Sequence, residues 1–265
     1  MIEPPVMNDA RLLSSAEKEA LKKLRLSFKA ELENDGKKEY EATELLDEGC
    51  LVPLLHEVKD VLEAPDLLVT ASMFSKRYAY LMTVPVLYAF SLWNVRFQPT
   101  MENVVYREKE TDPYWLPTFY FHEERIHPIS LELREKEREA LFFTLFANHL
   151  DKMWDVLCKA TSIPKEILWE NTFSYLYWLY DSLVQQSEEW TNEEVKRQVE
   201  ADRHFLFYEA DVQLFGHGRK HPFTRMAERR EAVKEKDTPP LRQTCCFSYR
   251  CGEPPTYCGT CPRKP

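Results

Sequence analysis

The chain has 265 residues, 44% of them hydrophobic and 13% aromatic, which excludes a disordered chain and is enough for a substantial core in one large domain or two lobes. Its formal net charge of −9 argues against a nucleic-acid partner. The charge is uneven: residues 217–265 hold eleven Lys and Arg against five Asp and Glu, whereas residues 1–216 hold twenty-four against thirty-nine.

The opening Met1-Ile2-Glu3-Pro4-Pro5 has neither a basic nor an apolar signal region, so a cytoplasmic protein is expected. In that compartment clustered thiols serve as metal ligands more often than as disulfides. Residues 1–13 read as a loose lead-in. Ser14-x-x-Glu17 is a capping box, and Leu21, Leu24, Phe28 and Leu32 follow on one helical face that ends near Asn34-Asp35-Gly36. A second helix is expected from Leu51 to Leu62, with Leu51, Leu54, Leu55, Val58 and Leu62 inward. Cys50, like Cys158 later, reads as a buried structural thiol.

From Leu67 to Trp93 the sequence is strongly apolar, and Tyr78 to Trp93 carries no charge. That stretch falls short of the roughly twenty residues a membrane span needs. It also contains Thr83, Pro85 and Ser91. A buried helix pair, or one helix bent at Pro85, is expected instead. Lys76 and Arg77 at its start either face a substrate site or snorkel to water, the commoner behaviour.

Between Val95 and Ile129 the helical period disappears. Val104-Val105-Tyr106 and Leu116 to Phe121, bounded by Asp112-Pro113 and His127-Pro128, read as short antiparallel strands. His122 and His127 read as surface loop histidines. Helices then return. The charge run Glu132 to Glu139 reads as a solvated face, with Glu132 and Lys136 at i,i+4. Phe142, Leu145, Phe146, His149, Leu150, Met153, Trp154 and Leu157 form a core stripe. Ser162 and Pro164 start a further helix through Phe173, Leu176, Leu179 and Leu183, and its aromatic run Phe173 to Tyr180 is expected mostly in the core. Thr191-x-x-Glu194 caps another. Gly216-His217-Gly218 ends the helical block, and a basic segment follows from Arg219 and Lys220 through Arg225 to Lys236 and a Pro239-Pro240 break. With six glycines the chain has neither a G-x-G-x-x-G fingerprint nor a P-loop, so any electron it uses comes from outside.

Five of the seven cysteines lie between Cys245 and Cys261. The prolines and glycines among them rule out a helix or a central strand. Cys258-x-x-Cys261 lets two thiolates reach one tetrahedral metal and suits zinc or iron–sulfur equally. The adjacent Cys245-Cys246 is an awkward chelate for one small ion. It suits the wider [2Fe–2S] rhomb, in which each iron takes two protein thiolates. The fold class expected is α+β and predominantly helical, with a few short antiparallel strands and a C-terminal cysteine-rich cluster-binding loop. The segments are 1–130 (mixed helix and strand), 131–237 (helical) and 238–265 (cluster-binding), in one integrated domain.

Cys-Cys, a spacer, then Cys-x-x-Cys, flanked by Arg242, Thr244, Tyr249-Arg250 and Tyr257-Cys258-Gly259-Thr260-Cys261-Pro262, resembles the FhuF-like ferric-siderophore reductases. Phe74-Ser75-Lys76-Arg77-Tyr78-Ala79 and Pro85-Val86-Leu87-Tyr88-Ala89 are similar to that family too. The resemblance implies a [2Fe–2S] cluster on Cys245, Cys246, Cys258 and Cys261. It also implies one-electron reduction of a ferric, hydroxamate-type siderophore in the cytoplasm and an external donor, ferredoxin-like or another reductase. The spacer here is eleven residues where the family has ten, and Cys251 inside it offers a rival to Cys245. The chelate is expected between the loop and the helical body, near Arg242, Arg250 or Lys264, by their charge and nearness to the thiolates. The alternatives are a zinc-stapled binding protein and a ferredoxin-like carrier or redox sensor.

Overall fold

The computed structural model describes residues 10–32, 36–107, 115, 117–187, 191–218, 220–234 and 241–265. The expectations placed on residues 1–9, Asn34-Asp35, Asp112-Pro113, Leu116, Arg219, Lys236 and Pro239-Pro240 lie outside the described residues. The fold is α+β and mostly helical, with two small three-stranded antiparallel sheets.

Helix α1 (Ser15–Lys23) opens with the expected capping box, Ser14 and Glu17 each accepting from the other's backbone N–H. It stops at Lys23, well short of the expected end. Arg25 takes a left-handed conformation (φ 67°), Leu26 bridges to Phe119, and Ser27 N–H donates to Phe119 O at 3.1 Å. Burying Leu26 and Phe28 against a strand wins over prolonging the helix. Arg25 is thereby set at a corner.

Helix α2 (Glu48–Val61) buries Leu51, Leu54, Leu55 and Val58, and Asp47 caps it. Cys50 and Cys158 are half-buried, not buried. Helix α3 (Leu67–Trp93) is one element of 27 residues with Pro85 inside it, not a pair. Among the described residues no helix is long and apolar enough to cross a membrane.

One sheet has the order β1 (Arg11–Leu12), β6 (Arg125–Pro128), β3 (Val95–Arg96). The other has β2 (Glu39–Glu41), β4 (Val104–Arg107), β5 (Thr118–Phe121). His127-Pro128, expected to bound a strand, lies within β6. His127 is therefore buried, with Gln98 against its ring at 3.1 Å, whereas His122 is exposed and bonds Glu41.

Helix α4 (Arg134–Phe142), a π-helical stretch (Phe143–Asp151) and α5 (Lys152–Thr161) follow one another directly, and the stripe from Phe142 to Leu157 is buried throughout. The charge run is not simply a solvated face. Arg134 and Glu137 are buried, paired with Asp202 at 2.7 Å and Arg96 at 3.0 Å. Helix α6 (Lys165–Ser187) packs along α3. Asn192 caps α7 (Glu193–His204), one residue beyond the expected Thr191. Helix α8 (Thr224–Lys234) follows the bend at Gly216, where φ is 101° and a Cβ would strike the Asp151 carboxylate. A single hydrophobic core links elements from Leu13 to Ala227.

At its centre Tyr78 O–H donates to His149 Nε2 at 2.6 Å, and His149 Nδ1–H donates to Pro99 O at 2.8 Å. The ring is satisfied as a neutral imidazole, and burial pulls its pKa from 6.5 to about 4. The unfolded chain takes up this proton near pH 6.5 and the folded chain only near 4. Stability from the neutral ring is thus complete above 6.5 and is lost as pH falls toward 4, by up to about 3 kcal/mol. Urea unfolding between pH 7 and 5 is expected to show this slope, and a His149→Gln variant a shallower one.

Candidate metal centre and its cavity

The last segment, residues 241–265, lies across the N-terminal half of α3 and the start of α6. Glu170 receives Gln243 N–H at 2.6 Å, Thr244 N–H at 2.7 Å and the Thr244 hydroxyl. Asn171 accepts from Arg242 Nη2 at 2.7 Å and donates to Ser72 and Ser75. Ser72 Oγ donates to Cys246 O at 2.9 Å. Arg242 N–H donates to Thr260 O at 3.0 Å, which joins the two ends of the cysteine loop. Tyr249 and Tyr257 stack at 5.3 Å across the loop.

The thiols fall into two pairs. Cys246 Sγ and Cys258 Sγ are 3.7 Å apart. Cys245 lies beside Cys261 and interacts with its thiol. Two thiolates at about 2.3 Å from one tetrahedral metal lie about 3.8 Å from each other, so the first pair already has a shared metal's ligand edge. Among the described residues no three His, Cys, Asp or Glu side chains converge on one point. Two pairs suit two irons with two thiolates each better than one zinc with four.

Backbone donors surround these sulfurs. Phe247 takes a left-handed conformation (φ 60°), and its N–H donates to Cys245 Sγ at 3.3 Å, while Ser248 N–H reaches Cys246. Arg263 N–H donates to Cys261 Sγ at 3.3 Å. Lys76 Nζ donates to Cys246 Sγ at 3.9 Å. The hydrogen bond from Cys258, then the charges of Lys76 and Arg242, hold the Cys246 thiol below its ordinary range, while burial pushes Cys245 up. Arg242 Nε is buried without a hydrogen bond, 3.9 Å from Glu170. A buried donor and several N–H groups facing thiols are what an anionic iron–sulfur cluster asks of its surroundings. The residues present fit the group.

Cys251 is half-buried at the edge of the core, and burial raises its thiol. It stands near Cys246 but is paired with none of the other four sulfurs.

Beside the loop opens a cavity of about 580 Å³ with Cys258 and Thr260 in its wall. Helices α3 and α6 supply most of the rest, Lys76, Arg77 and Tyr80 from one and Tyr175 and Trp178 from the other, with the exposed Arg25 beside them. Lys76 and Arg77 therefore do not simply snorkel to water. Of the three cations expected near a substrate, Arg242 lines this cavity; Arg250 pairs with Asp66 at 3.0 Å and Lys264 is exposed, both away from it. In the aromatic run Phe173, Tyr177 and Tyr180 are buried, as expected, whereas Tyr175 and Trp178 face the cavity. The signal available for Lys76 and Tyr80 was their i,i+4 spacing on one face of α3; nothing local marks Arg25.

The family described as Ferric iron reductase FhuF-like transporter matches residues 72–234, and the FhuF 2Fe-2S C-terminal domain matches residues 242–263. No curated protein is similar enough to the chain to count as a match. The C-terminal match carries a [2Fe–2S] cluster as cofactor, and its bounds enclose all five clustered cysteines together with Arg242.

Proposed function

The chain belongs to the FhuF-like ferric iron reductase family, and we propose that it reduces the Fe³⁺ of a siderophore chelate by one electron, with Cys245, Cys246, Cys258 and Cys261 as cluster ligands. When bound, the [2Fe–2S] cluster supplies single electrons, near about −400 mV in plant-type ferredoxins. Ferric iron in a siderophore sits among hard oxygens that hold Fe²⁺ far less tightly, so one electron makes the metal labile. The observation that carries this reading is the position of Cys258, which belongs at once to the thiol group and to the cavity wall.

The residues around that wall divide the work. Ser72, Glu170 and Asn171 hold the loop, and Tyr80, Tyr175 and Trp178 give a docked chelate flat apolar surfaces. Lys76 stands between the two sites, bonded to Cys246 and lining the cavity. No proton donor or nucleophile is needed, because no covalent bond to the protein forms. The electron donor is an external low-potential protein of ferredoxin or reductase type, and the cytoplasm is where Fe²⁺ would be released.

The test is anaerobic. Reduced protein mixed with a ferric siderophore and a ferrous-specific trap is expected to regain the oxidised cluster spectrum as Fe²⁺ appears one for one. A spectrum that stays reduced with every chelate, or protein that holds zinc without iron or sulfide, sinks the reading.

Lys76→Met tests the bridging role. Lys76 Nζ lies 3.9 Å from Cys246 Sγ, and a unit charge beside a cluster ligand would be worth on the order of 2 kcal/mol to the added electron at an effective dielectric near 20. Its loss is expected to lower the midpoint potential by on the order of 80 mV, because the oxidised cluster is the less negative state. Redox titration reads the shift, and Lys76→Arg should restore most of it.

A further inference from the structure

Resting on the reductase reading, we infer that the electron enters on a different side of the cysteine loop from the chelate cavity, through a basic face of α8 and residues 241–243 that docks an acidic, ferredoxin-class protein. The tail forms a ridge. On one side Arg242, Cys258 and Thr260 line the cavity already described. On the other, Leu241 and Gln243 join Met226, Arg229 and Arg230 around a small hollow. Gln243 and Met226 continue into a larger one of about 450 Å³, edged by Lys220 and Arg225. Helix α6 divides in the same way, with Tyr175 and Trp178 on the chelate side and Trp169 and Phe173 on the α8 side. Of the four cluster ligands only Cys258 lines the chelate cavity. Gln243 stands two residues before Cys245, at most about 7 Å of extended chain. Leu241, 55% exposed, and the half-buried Met226 and Val233 give the α8 face an apolar middle inside a charged rim, the usual anatomy of a protein interface.

The charge balance includes the cluster. Two ferric ions, two sulfides and four thiolates leave a dianion, and reduction makes it a trianion. Lys76 and Arg242 belong to that anion and take no part in docking. Arg230 lies over the Phe173 ring at 5.7 Å and the Tyr177 ring at 5.1 Å, where Glu170 acts on it. The oxidised cluster and Glu170 are thus offset by Lys76, Arg242 and Arg230, and the interior is close to neutral. Lys165 is held by Asp151 at 2.5 Å and Asp155 at 2.6 Å. Lys220, Arg225 and Arg229 remain, exposed and without a carboxylate partner among the described residues, against one exposed acid in the lining, Glu166. The α8 carboxylates do not offset them: Glu228 lines neither hollow and Glu231 is bound to Arg203 and Tyr208. Such a face steers a partner whose redox centre is rimmed by carboxylates. The reduced donor loses one electron and the cluster gains it, with no bond made or broken. Donor and chelate can then be bound together, each on its own side of the ridge.

Calorimetry of the holoprotein with an oxidised, acidic plant-type ferredoxin in low salt reads docking apart from turnover. Arg225→Glu/Arg229→Glu is expected to weaken Kd at least about tenfold and the neutral Arg225→Gln/Arg229→Gln less, while Arg25→Glu on the chelate side changes it less than about twofold. Stopped-flow reduction by the same ferredoxin, reduced beforehand, is expected to slow in the same order. The differences are expected to close in about 1 M salt, where the screening length is about 3 Å. Reduced methyl viologen, a small cation that needs no docking face, is expected to reduce the reversal variant no more slowly than the parent. Parental affinity and rate in the reversal variant overturn the inference, as does an equal loss with Arg25→Glu or binding that salt does not weaken. Docking as expected, with no ferric chelate able to reoxidise the cluster, removes the reductase reading and leaves this face standing. Chelate reduction by viologen-reduced protein, with ferredoxin indifferent to the reversal, does the opposite.

Discussion

A Cys246→Ser variant is expected to purify without the red-brown colour of an oxidised cluster, to hold almost no iron or sulfide, and to reduce no ferric chelate. Cys246 is the most deeply placed of the thiols, 1% exposed, and it carries the 3.7 Å contact to Cys258. Two donors, Lys76 and the Ser248 amide, also converge on it. Loss of an outer partner of a metal ligand changes affinity by about 10–100-fold, so loss of this ligand exceeds that. Cys251→Ser is the control: its sulfur is paired with none of the four, and the variant is expected to keep colour, iron content and turnover. Ultraviolet–visible and electron paramagnetic resonance spectra read both. Colour lost with Cys251→Ser but kept with Cys245→Ser would transfer the fourth ligand to Cys251.

The second large effect lies far from the cluster. Asp202 is 1% exposed and accepts from Ser91 at 2.7 Å, Arg134 at 2.7 Å and Arg138 at 3.4 Å. Arg134 lies over the Phe90 ring at 4.4 Å and Arg138 over Phe205 at 3.9 Å. Burial pushes the Asp202 carboxyl upward and the two guanidinium groups oppose it. Asp202→Ala leaves two cations in a largely apolar setting, which costs about 3–5 kcal/mol. In a domain of this size that lowers the melting temperature by on the order of 10 °C. Asp202→Asn keeps acceptors for Ser91 and one Arg and is expected to lose less. Thermal unfolding compares the three, and an Asp202→Ala protein as stable as the parent would contradict the account.

The cysteine spacing located the centre, because a metal loop depends on local order along the chain, but it did not foresee the pairing: Cys258-x-x-Cys261 suggested two thiols on one metal, whereas the structure sets Cys246 with Cys258 and Cys245 with Cys261, across the two motifs. The apolar helices were legible for a similar reason, since burial repeats with the helical period in α2, α5 and the second half of α6. What escaped depends on contacts between distant segments. Arg134 and Glu137 look solvated until Asp202 and Arg96 are brought to them. Lys76 looks like a snorkelling side chain until a sulfur 170 positions away arrives beside it. Arg25 sits in a left-handed corner that exists because β5 captures Leu26. The cavity is built from such distant pieces, and for that reason its cations were only partly foreseen.

Between Leu241 and Pro265 only Arg242, Cys245, Cys246 and Cys261 are buried, and the segment is tied to the body by polar hooks on Ser72, Glu170 and Asn171. The body closes its core without this tail, so iron and sulfide can be installed late, into a molecule whose scaffold is already finished.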